Sequence, residues 1–162
     1  MKLLLALMMA TAASPRASVL VAGGAWAAID RGAVCEALSR SPRAVPKDQP
    51  KPNAGFAFTP DHRRWGEFHA QLSRPARAGS SVILQVGSQP FLLVAQGGWA
   101  WSTGPAQEEA LIAAIRSATS MRIEARDVSG RRFADPYMLD GAPTAIDAAA
   151  ARCALRGAGK IP

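Results

Sequence analysis

Histidine and cysteine are nearly absent from this sequence, two of each in 162 residues. That scarcity excludes most metal chemistry: His62, His69, Cys35 and Cys153 show none of the paired spacings that build zinc sites. No metal and no cofactor is therefore expected. The nucleophile elbow G-x-S-x-G, the P-loop, H-E-x-x-H and G-x-G-x-x-G are missing as well. The pairs Gly23-Gly24 and Gly97-Gly98 lack the strand-to-helix context that a phosphate cradle requires. Catalysis could only be dispersed, with Ser80 or Ser81 meeting His62 or His69 and an aspartate such as Asp61, or with Asp135 and Asp140 as a carboxylate pair. The simpler readings are local. Asp140 belongs to an Asp-Gly turn, Asp135 to the polar edge of a strand, His69 to a strand's solvent face and His62 to a polar turn. A small periplasmic hydrolase is the alternative reading, and a non-enzymatic protein the leading one.

Long apolar runs are lacking too. The stretch from Leu3 to Met9 is too short to span a bilayer, but it follows Lys2 and precedes Ala10, Ala12 and Ala13. That order describes a signal peptide over residues 1–13 and a single mature domain over 14–162. The first cysteine, Cys35, is too far downstream to be lipidated. Loss of Lys2 takes the formal charge from +7 to +6, so the exported protein stays basic. In a periplasmic or secreted setting its anionic partners are lipopolysaccharide phosphates, acidic polymers and lipid surfaces, the last by peripheral membrane association. Nucleic acid is not expected, because basic residues come in ones and twos without aromatic interleaving. The alternative use of this charge is a solvated surface that keeps the protein soluble.

Period-2 patterns dominate what is present. Strands are predicted over Trp26 to Asp30 and Ala33 to Leu38, preceded by an apolar strand broken at Gly23-Gly24. The loop "RSPRAVPKDQPKPN", residues 40–53, carries four prolines and separates that pair from the body of the domain. It is read either as a solvated excursion or as a partner-contacting segment. Phe68, Ala70 and Leu72 alternate with Glu67, His69 and Gln71 in a further strand. A hairpin turns at Gly87-Ser88, and a second, with Met121, Ile123 and Ala125 inward, turns at Ser129-Gly130. One helix starts at Pro105 with the stripe Leu111, Ile112 and Ile115. Another starts at Pro143 and presents Ile146, Ala149, Ala150 and Cys153, with Gly157 as its cap. The fold class is mainly β (α+β): an antiparallel β-sandwich or strongly curved sheet with two packed helices.

Cys35 and Cys153 lie near the two ends of the mature chain. In an oxidising compartment a disulfide between them is the expected state, the alternative being two buried thiols. Trp99 and Trp101 share a face if "WAW" is extended, as core fillers, the commoner fate, or as an aromatic patch for a ligand or protein. Arg122 and Arg126, with Arg131 and Arg132 after the turn, form a basic stripe or a solvated sheet face.

In order along the chain, "GAWAAIDRGAVCEA", "ARAGSSVILQVGSQPFLLV" and the stretch from "AWSTGPAQEEALIAAIRSA" through "SGRRF" to "LDGAPTAID" resemble the invasion-associated locus B family of exported alphaproteobacterial proteins. The resemblance implies a small periplasmic or envelope-associated β-sandwich without a cofactor and without established catalysis, binding a protein or an anionic envelope component. The proline-rich insertion and the low cysteine count set this chain apart from that pattern.

Overall fold

The computed structural model describes residues 17–159, and the expected signal segment lies outside them. Its strands are β1 (Ser18–Gly23), β2 (Trp26–Asp30), β3 (Cys35–Arg40), β4 (Asn53–Phe58), β5 (Trp65–Gln71), β6 (Val82–Val86), β7 (Gln89–Gln96), β8 (Trp99–Trp101), β9 (Ser120–Arg126) and β10 (Arg132–Met138). They pair antiparallel into one unclosed sheet in the order β1-β2-β3-β4-β5-β8-β7-β6-β9-β10. Helices α1 (Pro105–Ser117) and α2 (Ala142–Ala158) complete the expected mainly β fold.

Alternation sorts the sheet into two faces. Trp26 and Ala28, Val82 and Leu84, and Met121 and Ile123 point inward and are buried. With Phe56, Phe58 and Phe68 they build the core, each large side chain contributing about 1.5–3 kcal/mol through burial. The sheet is strongly bent. β2 and β10 stand eight positions apart in the strand order, which on a flat sheet would be about 38 Å. Yet Trp26 Nε1 of β2 donates to the carbonyl of Met138 on β10 at 2.8 Å.

That bend also closes the β10 edge. Arg43 donates to the carbonyl of Ala134 at 2.5 Å and Ser41 Oγ to that of Pro136 at 2.7 Å. Together with Trp26 they cap three alternate carbonyls that would otherwise invite another strand. Pro136 has no N–H to offer and suits such an edge. At the opposite edge a bulge between Val19 and Val21 interrupts the β1 ladder.

The proline-rich segment does not separate a strand pair from the body, as expected, because β3 pairs directly with β4 across it. The connection spans 41–52 and is closed by Ser41 N–H donating to the Pro52 carbonyl at 2.9 Å. Strand β4 was hidden in the sequence: "NAGFAF" is buried on both faces after Asn53, so no polar alternation marks it.

In α2 the residues Ala142, Ala145, Ile146, Ala149 and Cys153 are buried along one stripe. The helix runs through Gly157, the expected cap, and ends at Gly159. A Cβ at Gly157 would lie 2.5 Å from the Pro60 carbonyl oxygen, so close backbone approach requires glycine there. The expected disulfide is formed: Cys35 of β3 is bonded to Cys153 of α2, with Cα atoms 5.8 Å apart. Beside it Arg152 and Arg156 both reach Asp30, at 2.6 and 2.7 Å. Burial pushes the Asp30 carboxyl up, but the Arg152 hydrogen bond, the Gly32 N–H and both positive charges outweigh it and hold the group below its usual range.

Candidate functional site

The outer face of the sheet gathers the residues singled out from sequence into two neighbouring fields. On its apolar side Trp101 pairs with Val94, and Trp99 with Gln96, across β8 and β7. Leu92 stands two residues along β7 from Val94 and opposite Ile83 of β6. Leu92 is 58% exposed, Val94 56% and Trp99 41%, so large hydrophobic side chains stand in solvent side by side. The expectation that Trp99 and Trp101 fill the core is corrected. Of the four tryptophans only Trp26 does so, because Ala100 takes the inward position of the short β8.

The cationic field lies on β9 and β10. Arg126 stands directly opposite Arg132, and Arg122 opposite Pro136. Arg122 is neutralised by Glu124, two residues along the same strand. Arg126 donates to the Gly130 carbonyl at 2.9 Å, which fixes the side chain without cancelling its charge. Neither Arg126 nor Arg132 has an ion-pair partner among the described residues. Like charges opposed across an antiparallel pair are unfavourable. A shallow depression of about 510 Å³ opens beside them, lined by Ser81, Ile83, Glu124, Arg126, Arg132 and Ala134. Arg131 belongs elsewhere. It joins Ser129 and Asp127 in the hairpin turn, where Ser129 hydroxyl donation is the main cause that draws the Asp127 carboxyl down to about 2.

Sequence reasoning missed Leu92 and Val94. The signal was present in "FLLVA", which is apolar at odd and even positions alike and therefore puts hydrophobic groups on both faces of a strand.

The dispersed catalytic groupings do not assemble. Ser81 precedes β6, which β7 and β8 separate from the β5 strand of His69. Three strand spacings make roughly 14 Å, beyond any proton transfer between those side chains. Ser80 Oγ donates to the Arg77 carbonyl at 2.7 Å, and Asp61 accepts from Thr59 at 2.5 Å. His62 is stacked on Trp65 with ring centroids 3.9 Å apart. His69 is on the outer face as expected, but it is buried rather than solvated. Gly55 on β4 leaves room for its ring, Trp101 flanks it on β8, and Glu36 Oε1 lies 3.6 Å from Nε2. Burial pushes its pKa down against the opposing pull of Glu36.

Asp135 is not on a polar strand edge. It points inward and is fully buried, whereas Asp140 is exposed in the turn, so the two form no facing pair. Its Oδ2 accepts the Ser73 N–H at 2.8 Å, and its Oδ1 lies 3.8 Å from Arg43 Nε. Burial raises its pKa; the Ser73 hydrogen bonds and the charges of Arg43 and Arg74 offset this only in part. Tyr137, also buried, adds no charge at neutral pH because burial and then Asp135 push its phenol upward. The native chain thus keeps a proton that the unfolded chain has released. This contribution to stability is complete below pH 4, falls as pH rises through the raised native value, and is then flat. Asp135→Asn keeps the acceptor for Ser73 and is expected to flatten that fall and raise the midpoint of thermal unfolding at pH 7. Melts from pH 4 to 8 check it, and a variant that loses stability at pH 7 would contradict it.

Comparison with protein-family models, with curated proteins and with solved structures finds no match for this chain.

Proposed function

We propose that this is a non-enzymatic, exported, envelope-associated protein that binds an anionic lipid surface through the outer face of its sheet. The observation that carries the reading is the un-neutralised pair Arg126 and Arg132 beside the exposed row Leu92, Val94 and Trp99. Phosphate oxygens would relieve the repulsion between the two guanidinium groups, which prefer forked contacts with such anions. The apolar row would enter the headgroup boundary, where tryptophan is favoured. Three further features support the compartment: the signal-like start of the sequence, the disulfide, which suits an oxidising environment, and the resemblance to the invasion-associated locus B family. No helix among the described residues is long and apolar enough to cross a membrane.

Co-sedimentation with phosphatidylglycerol-containing vesicles tests the reading against pure phosphatidylcholine vesicles. Binding is expected only to the anionic set and to weaken as salt rises. An arginine near such a surface contributes about 1 kcal/mol, so Arg126→Gln with Arg132→Gln is expected to weaken partitioning about 30-fold. Equal binding to both vesicle types, or an unaffected double variant, would reject it.

A further inference from the structure

A third arginine joins the cationic field. The bridge between Ala76 and Asp127 sets Arg77 opposite Arg126, and the Arg77 N–H donates to the Arg126 carbonyl at 2.8 Å. Arg126 is in turn opposite Arg132, so Arg77, Arg126 and Arg132 stand in one row across three neighbouring chain segments. Residues opposed in this way share a face, with Cβ atoms about 4.5–5.5 Å apart. Two of the side chains also converge on one turn. Arg77 Nη1 lies 3.5 Å from the point where a Cβ on Gly130 would stand, and Arg126 Nη1 is 2.9 Å from the Gly130 carbonyl oxygen. All three residues are exposed, and none of them has an ion-pair partner among the described residues.

The carboxylates beside the row are already engaged. Asp127 takes Arg74 at 3.1 Å and Arg131 at 3.4 Å, and Glu124 is paired with Arg122. Relief of the repulsion along the row therefore falls to an anion from outside, and the number of guanidinium groups defines its kind. A phosphodiester brings a single negative charge and two terminal oxygens. A phosphomonoester brings a charge of about −1.5 to −2 at pH 7 and three oxygens. Guanidinium forks engage such oxygens in pairs, so three forks match the monoester. Beside Arg126 and Arg132 the depression of about 510 Å³ continues over Ile83 and Ala134, which gives room for the group that the phosphate esterifies. We propose that Arg77, Arg126 and Arg132 form a phosphomonoester site, which prefers a terminal phosphate to the phosphodiester of an ordinary lipid headgroup. This rests on the reading of the outer face as a binder of anionic lipid and names the headgroup chemistry it selects.

Two measurements on the intact, disulfide-bonded protein test the proposal. The first is co-sedimentation with vesicles of phosphatidic acid, a phosphomonoester lipid, against phosphatidylglycerol vesicles of matched surface charge. Binding to phosphatidic acid is expected to be about tenfold tighter, the effect of one further charge-assisted hydrogen bond. Arg77→Gln and Arg77→Lys are each expected to remove that preference, the lysine because it keeps the charge without the fork. The second is side-chain NMR with soluble glycerophosphate, a monoester, and glycerophosphoglycerol, its diester. The Nε–Hε signals of all three arginines are expected to shift with the monoester alone. Equal binding to the two charge-matched vesicles would overturn the proposal and leave the anionic-surface reading standing. Arginine shifts with glycerophosphate but no binding to either vesicle would reject the membrane reading and support the site, with a soluble phosphomonoester as its ligand. An Arg77 signal that glycerophosphate does not move would overturn the site whatever the vesicles show. If an Arg77 variant does not fold, the wild-type shifts and the wild-type vesicle preference still decide it.

Discussion

Reduction of the Cys35–Cys153 bond is expected to lower the stability of the fold by roughly 5 kcal/mol, because opening a closed loop of this length restores that much chain entropy to the unfolded state. The two cysteines are 118 residues apart, so the bond encloses most of the described chain. A single domain has about 5–15 kcal/mol in all, and the reduced protein would be marginal. The loss should not be uniform. α2 would keep its two ion pairs to Asp30, but Arg152 and Arg156 are partly exposed and cannot substitute for a covalent link. Urea unfolding of the oxidised protein and of Cys35→Ala with Cys153→Ala checks the magnitude, and amide exchange checks the place. The α2 amides should lose protection before those of β6 and β9. A loss under about 1 kcal/mol would mean that the unfolded chain already holds its ends together.

Cysteine arithmetic made this bond legible, since two cysteines allow one intramolecular pairing. Other features were legible for equally local reasons. The turns at Gly87-Ser88 and Ser129-Gly130 mark both hairpins, and the stripe from Ile146 to Cys153 marks the buried side of α2. What could not be read depends on the bend of the whole sheet. Asp135 looks like the polar partner of an alternating edge strand. It becomes an interior carboxyl because β10 curls back under the base of the proline-rich connection. His69 alternates as a solvent-facing residue should, but Gly55 leaves room for its ring between β4 and β8, where Trp101 and Glu36 stand beside it. The two fields of the candidate site follow the same division. Arg122, Arg126 and Arg132 could be named from the strand pattern, but their neighbourhood to Leu92 and Val94 depends on β6 lying between β7 and β9, a non-local pairing.

Gly141→Ala should produce the second largest loss, about 3 kcal/mol, and it tests how α2 is seated on the first hairpin. Gly141 caps the helix in the left-handed region with φ of 83°. A Cβ there would stand 2.1 Å from the carbonyl oxygen of Gly23, a backbone atom that no rotamer change can move. The approach is reciprocal: the Ala25 N–H donates to the Asp140 carbonyl at 3.0 Å, and a Cβ at Gly24 would meet Asp140. Two glycines, Gly24 and Gly141, thus let the turn before α2 rest against the turn between β1 and β2. Two effects are mixed in such a variant, and Gly97→Ala separates them. Gly97 has a similar left-handed φ of 58° but open space where a Cβ would go, so it should lose only about 1 kcal/mol for conformation. Thermal unfolding of both variants gives the difference directly. Equal losses would show that the β1–β2 turn yields to the methyl group. A larger loss at Gly141, with faster exchange confined to β1, β2 and α2, would show that the glycine contact fixes the start of the helix before the disulfide fixes its end.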